Sequence, residues 1–253
     1  MRTRHGHVYL VGAGPGDPEL LTLKASKILA KADVVVYDRL VTNTILSLAP
    51  KRAEKIFVGK ETGWHNITQE DINKILVQKA RAGKNVVRLK GGDPFLFSRG
   101  GEEAQALRRA GLRFTVVPGV PSPVAVPAYA GIPLTHRKYA SSVVFVTGHE
   151  ATSRRPKHVD WKKLATSVDT IVILMGTKTI AEIAQQLIKG GRPKYNGAAI
   201  IEWGTTTHQR TITGTLKDIA RKAARHEITP PAIIVIGDVV KLRRKLHWFT
   251  NER

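Results

Sequence analysis

No cysteine occurs in the chain, which excludes disulfides, thiolate catalysis and cysteine-ligated metals. Aromatic residues make up only 6% of the 253 positions, and no stacking run of the kind that RNA-binding modules use is present. Acidic residues are scarce: 20 Asp and Glu face 41 Lys and Arg, a net charge of +21. No run of 18 or more apolar residues occurs, so no membrane span is expected. The basic N-terminus has too short an apolar part for a signal peptide, and a soluble, cytoplasmic protein is the expectation. G-K-[ST], G-x-S-x-G and H-E-x-x-H are all missing. The nine histidines are scattered, and His5 and His7 in "HGH" read as a strand edge rather than a ligand pair. No metal site is expected.

With 42% hydrophobic and 24% charged residues, the chain can bury a sizeable core. Its charge draws polyanions: nucleic acid, an anionic membrane, or a small molecule with several carboxylates or phosphates. The densest basic runs, "KLRRK", "SRRPKH" and "PKRAEK", do not choose among them.

The first half alternates short apolar runs with helical periodicity. "HVYLVGAG", "DVVVYD", "NVVRLKGGD" and "RFTVVPG" read as strands. "LLTLKASKILAKA" reads as a helix carrying Leu20, Leu21, Leu23, Ile28 and Leu29 on one side. "QEDINKILVQKARAG" reads as another, with Thr68 as its N-cap and Gly83 as its stop, and "EEAQALRRAG" as a third, ended by Gly111. This order predicts an α/β fold with a mainly parallel sheet and helices on both faces. A proline-rich joint, "VVPGVPSPVAVPAYAGIPLTHR", follows and suggests two α/β domains, 1–118 and 119–253. In the second half "SSVVFVTGH", "DTIVILMGT", "AAIIEWGTT" and "PAIIVIGDVV" read as strands. "WGTTTHQRTITGTL" resembles a hairpin, so the second sheet is expected to be mixed.

Ligands of open α/β sheets sit beyond the carboxyl ends of the strands. Five segments fall there: "GAGPGD", "YDRLV", "GGDP", "MGT" and "EWGT". "VGAGPGDP" fails the G-x-G-x-x-G spacing, and its Pro15 removes an amide from any phosphate cradle. Gly91 and Gly92 permit close backbone approach. Asp93 either accepts a hydrogen bond from a ligand or caps the turn into "PFLF". The glycine loops point to a ligand without naming it.

Taken in order, "VYLVGAGPGDPELLTLKASKILAKADVVVYDRLV", "VVRLKGGDPFLFSRGGEE", "PAYAGIPLTHR", "SSVVFVTGH" and "PPAIIVIGDVV" resemble the uroporphyrinogen-III C-methyltransferases of the tetrapyrrole methylase superfamily. The resemblance runs from about Val8 to Phe249. It implies two α/β domains with S-adenosylmethionine in the cleft between them, a homodimer, and two successive methylations of uroporphyrinogen III to precorrin-2, towards sirohaem and cobalamin. The missing RNA-binding modules and stacking runs argue against a nucleic-acid partner, and no membrane partner is expected. On the matching positions the resemblance implies a cofactor site of Pro15, Gly91, Gly92, Asp93, Leu96, Pro121, Ser122, Met175, Gly204 and Ala232. It implies catalytic roles for Asp38 and Lys60, as proton acceptor and donor, and for Arg99 and Glu102. It implies substrate contacts from Arg99, Glu102, Arg137 and Met175. Core packing remains the competing role for Met175 and Leu96, and a turn cap the competing role for Asp38. Two positions depart from the family pattern: Pro121 stands where threonine is more usual, and Ser98 where glycine is usual.

Overall fold

The structure, a computed structural model, describes residues 5–59, 67–149 and 159–250. The chain divides into two compact units, Met1–Pro121 and Ser122–Arg253.

The first unit runs β1 (Val8–Gly12), α1 (Leu23–Leu29), β2 (Val34–Tyr37), α2 (Asn43–Leu46), β3 (Glu54–Phe57), α3 (Gln69–Arg81), β4 (Val86–Lys90), α4 (Gly100–Arg109) and β5 (Phe114–Val117). All of its strands are parallel, in the order β3-β2-β4-β1-β5. Strand alternation sorts the core into two layers. Val11, Val35, Val87 and Leu89 meet Ala25 and Leu29 of α1 and Ile45 of α2. Val8, Leu10, Val34, Val36 and Val86 meet Ile72 and Leu76 of α3 and Leu107 of α4. Thr68 and Asp71 form a reciprocal capping box that starts α3.

One sequence expectation is corrected in this unit, and one strand is added to those expected. Leu20 and Leu21 precede α1: Asp17 accepts the Glu19 amide at 2.9 Å and starts a 3-10 turn over Pro18–Leu20. The helix begins only after Thr22, whose hydroxyl accepts the Ala25 amide at 3.2 Å. The edge strand β3, half polar in sequence, is an addition that apolar patterning did not suggest.

The second unit runs α5 (Ser122–Tyr129), β6 (Val143–Thr147), α6 (Trp161–Ser167), β7 (Thr170–Leu174), α7 (Ile180–Lys189), β8 (Gly197–Glu202), β9 (Arg210–Thr215), α8 (Ile219–Arg225), β10 (Ala232–Ile236) and α9 (Arg243–Leu246). Its sheet is mixed, in the order β6-β7-β10-β8-β9. β6 and β7 are parallel; β10 runs antiparallel to both β7 and β8, and β8 and β9 are antiparallel. Ile171, Ile173, Ile200 and Ile234 pack on Trp161 of α6, Ile183 and Leu187 of α7, and Ile219 of α8. Val172, Ile201, Ile233 and Val235 pack on the α5 side. The proline-rich stretch read as a joint therefore contains a helix. Pro123 falls in its first turn, where no intrahelical amide bond is needed. Pro127 forfeits one such bond, but it is buried with Ala125 and Val126 in the core. No helix among the described residues is long and apolar enough to cross a membrane.

Parallel pairing brings the carboxyl ends of β1, β2, β4 and β5 to one side of the first sheet. Gly12 pairs with Lys90, Tyr37 with Leu89, and Val11 with Val117. The loops beyond β1, β4 and β5 then pack backbone on backbone. A β-carbon on Gly12 would lie 2.6 Å from the Gly119 Cα and 2.6 Å from the Gly92 carbonyl oxygen. Neither atom can rotate away. Gly12→Ala is therefore expected to cost about 1–3 kcal/mol of stability, the scale of core overpacking. Urea unfolding measures it, and a variant as stable as the parent would show that these loops do not pack so closely.

Candidate functional site

In the first unit the glycine loops are joined by hydrogen bonds. Gly14 and Gly92 exchange amides across an isolated bridge at 3.2 and 2.6 Å, and the Ala13 amide donates to the Lys90 carbonyl at 2.7 Å. Half-buried Pro15 follows on the same loop. Asp93 ties these loops to the next. Its Oδ1 accepts the Phe95 and Leu96 amides at 2.8 and 3.1 Å, and its Oδ2 accepts the Gly119 amide at 3.1 Å. The turn-capping role of Asp93 is thus real, and part of its acceptor capacity remains. The "PFLFSR" turn is tight. Phe97 and Arg99 adopt left-handed backbone with φ of 52 and 62°, and Ser98 donates its hydroxyl to the carbonyls of Asp93 and Pro94. Non-glycine residues held at positive φ store local strain, which clusters at functional loops.

Arg99 stands at the start of α4 and grips Glu102 with two parallel bonds, Nε to Oε1 at 2.8 Å and Nη2 to Oε2 at 2.6 Å. The hydrogen bonds push the arginine above its ordinary range and hold the Glu102 carboxyl below its own. Both side chains are more than half exposed.

Behind this exposed pair lies a buried one that sequence reasoning missed. Val86, Arg88 and Lys90 share the α3/α4 face of β4, and Arg88 and Lys90 are each only 3% exposed. Glu103 of α4, fully buried, reaches both: its Oε1 accepts from Arg88 Nε at 3.0 Å and from Lys90 Nζ at 3.0 Å. Gln69 of α3 reaches the same oxygen at 3.4 Å. Glu103 Oε2 has no hydrogen-bond partner among the described residues. Burial and the Arg88 charge hold the Lys90 ammonium below the ordinary lysine range, with Glu103 pulling the other way. Arg88 Nη2 then lies 3.4 Å from Asp38 Oδ2, so the candidate base at the end of β2 is ion-paired and half-buried. The signal was present in "VVRLK". Strand alternation puts both cations on a core face, and such a face needs a carboxylate.

In the second unit, antiparallel pairing gathers Met175, Gly204 and Ala232 at one end of the three central strands. Met175 follows β7, Gly204 follows β8 and Ala232 begins β10, with Ala232 opposite Glu202 and Ile233 opposite Leu174. The Trp203 amide donates to the Pro231 carbonyl at 3.0 Å. Met175, Trp203 and Thr205 have φ of 55, 48 and 69°. Met175 is 53% exposed, which removes core packing as its role. Gly204 abuts the Val126 side chain of α5, the helix that Ser122 opens. Burial would push the Glu202 carboxyl up, but hydrogen bonds from Thr229 and Arg210 hold it below its ordinary range. Arg137 is exposed in the short turn between the bridged residues His136 and Ala140, apart from these strand ends in the chain. Pro121, half-buried, ends the first unit. Lys60 lies outside the described residues.

The family model of the tetrapyrrole (corrin/porphyrin) methylases matches residues 7–220. An S-adenosyl-L-methionine-dependent uroporphyrinogen III methyltransferase of Methanosarcina barkeri is 53% identical, over 96% of this chain and 95% of that one. A siroheme synthase of Pseudomonas fluorescens is 51% identical over 96% of this chain, which spans 52% of that longer protein. Among solved structures, the uroporphyrin-III C-methyl transferase of Thermus thermophilus complexed with S-adenyl homocysteine superposes with a TM-score of 0.80 at 42% identity, covering 94% of each chain. Fold, strand-end loops and near full-length identity agree, and the chain belongs to the tetrapyrrole methylases.

Proposed function

We propose that the chain is an S-adenosylmethionine-dependent C-methyltransferase that converts uroporphyrinogen III to precorrin-2 by two successive methylations, serving sirohaem or cobalamin synthesis. The observation that carries this reading is 53% identity over nearly the whole length to a relative of that named activity. We place it in the cytoplasm as a homodimer.

The residues present fit the methyl donor. Gly14 and Gly92, joined backbone to backbone, offer close approach without side chains, and the Asp93 carboxylate has acceptor capacity beyond its three amides. When bound, S-adenosylmethionine supplies an electrophilic methyl on a sulfonium. Because positive charge is lost as the methyl leaves, strong anionic contacts at the sulfur would favour the ground state over the transition state. Backbone carbonyls suit that demand better than carboxylates do. Pro15, Gly91, Gly92, Asp93, Leu96, Pro121, Ser122, Met175, Gly204 and Ala232 hold and orient the donor.

The substrate is an octacarboxylate whose nucleophile is an electron-rich pyrrole carbon. Arg99 and Arg137 bind its carboxylates, arginine being suited to bidentate recognition. An exposed ion pair contributes only about 0–1 kcal/mol, so Arg99 exchanges Glu102 for a substrate carboxylate at little cost. Methylation also requires a proton to leave. Asp38 accepts that proton from the substrate, Lys60 keeps the donor role for a proton returned to the tetrapyrrole, and the protein's main contribution is alignment.

Purified protein incubated with methyl-labelled S-adenosylmethionine and uroporphyrinogen III is expected to give a doubly methylated product by mass spectrometry. Absence of transfer, alongside robust labelling of RNA, overturns the reading. Asp38→Asn is expected to lower kcat about 100-fold or more, the scale of general base loss. Arg99→Lys keeps the charge but loses the fork. It is expected to lower kcat/KM for the tetrapyrrole roughly 10- to 100-fold, as for a charged hydrogen bond, with the Kd for S-adenosylmethionine unchanged. Steady-state kinetics and calorimetry check both, and wild-type values would remove these roles.

A further inference from the structure

Arg88, Lys90 and Glu103 are three charges in the core of the first unit, and none belongs to the donor or substrate contacts assigned above. A buried ion pair is a poor source of stability, since apolar residues of similar volume often serve as well or better. The same strand face already carries Val86, so an apolar continuation was available. The network is also incomplete as a stabilising device, because Glu103 Oε2 has no partner among the described residues.

Its geometry is better suited to fixing one side chain. Arg88 Nε donates to Glu103 Oε1 at 3.0 Å, and Nη1 donates to the carbonyls of Val36 at 3.3 Å and Leu89 at 3.1 Å. Those bonds leave the guanidinium plane no freedom, and Nη2 is thereby aimed at Asp38 Oδ2, 3.4 Å away. Glu103 also offsets the repulsion between Arg88 and Lys90, which lie two residues apart on one strand face. Lys90 leads directly into Gly91.

We propose that Glu103 is a positioning residue for the methyl-transfer site: it anchors Arg88, and Arg88 orients the carboxylate of Asp38. The inference rests on the functional reading above for Asp38's role. It predicts that Glu103, which touches neither substrate nor donor, acts on turnover only through Asp38.

The test is a double-mutant cycle with Glu103→Gln, which keeps the shape and removes the charge, and Asp38→Asn. Glu103→Gln is expected to lower kcat about 10- to 100-fold while KM for S-adenosylmethionine stays within about twofold, and the double variant is expected to be no slower than Asp38→Asn alone. Arg88→Lys, which cannot span both carboxylates, is expected to show the same split and serves should Glu103→Gln fold poorly. Wild-type kcat in Glu103→Gln, or rate losses that multiply in the double variant, overturns the inference. Urea unfolding of the same four proteins gives a readout independent of activity. The two midpoint shifts are expected to be less than additive, because Arg88 contacts both carboxylates, and additive shifts overturn the inference. If the wild-type protein transfers no methyl to uroporphyrinogen III, the functional reading fails, and the unfolding cycle alone decides whether Glu103 and Asp38 are coupled.

Discussion

The parallel pairing of the first sheet is the constraint on which the site depends. Because β1, β2, β4 and β5 all point one way, Gly12, Asp38, Gly91 and Pro118 emerge within one strand-width of their neighbours. Each loop is short in side chains where it meets the next. The contacts there are amide to carbonyl, as between Gly14 and Gly92, or carboxylate to amide, as between Asp93 and Gly119. A surface made largely of backbone follows from the packing that closes the sheet's end.

The second unit reaches a similar result by other means. Its sheet is mixed, so β7 and β8 end where β10 begins, and the residues gathered there come from both polarities of strand. As at Phe97 and Arg99 of the first unit, strain is carried by side-chain-bearing residues. Met175, Trp203 and Thr205 hold positive φ without being glycine. The cost of such conformations is of order 1–3 kcal/mol each, and the three central strands behind them, β7, β8 and β10, are mostly buried isoleucine, valine and alanine.

The architecture was legible where the chain obeys simple periodicity. The apolar strands, the Thr68 cap and the β8–β9 hairpin are all set by local rules. Reading failed where tertiary contacts override propensity. Helix α5 forms despite two prolines because its apolar face is buried, and β3 is an edge strand whose polar residues face water. Most site positions entered through resemblance rather than through physics. Asp93 shows why: its capping bonds and a ligand contact are compatible, so spacing could not separate them. Glu103 was hidden differently. Beside Glu102 it reads as one of two helix-start acids, and only the alternation of "VVRLK" places cations against it.

Against a charge of +21, the placement of the few acids also matters. Many of the 20 carboxylates are committed to internal bonds. Glu103 and Glu202 are buried among cations and amides, Asp93 holds two loops together, Asp169 caps Ser141 and Ser142, and Asp218 holds Thr215. These residues maintain the fold and do little to neutralise the surface. The basic excess itself is set by the 41 Lys and Arg against 20 Asp and Glu, wherever the acids sit. It acts at long range, drawing a polycarboxylate towards the protein in a way that salt screens within a Debye length of about 8–10 Å. Discrimination must come instead from the few cations held in fixed geometry. Arg99, proposed above as a carboxylate contact, has its guanidinium placed by its backbone conformation and its bidentate pairing with Glu102. Surface charge governs encounter, and the strand-end geometry governs what is done with the molecule that arrives.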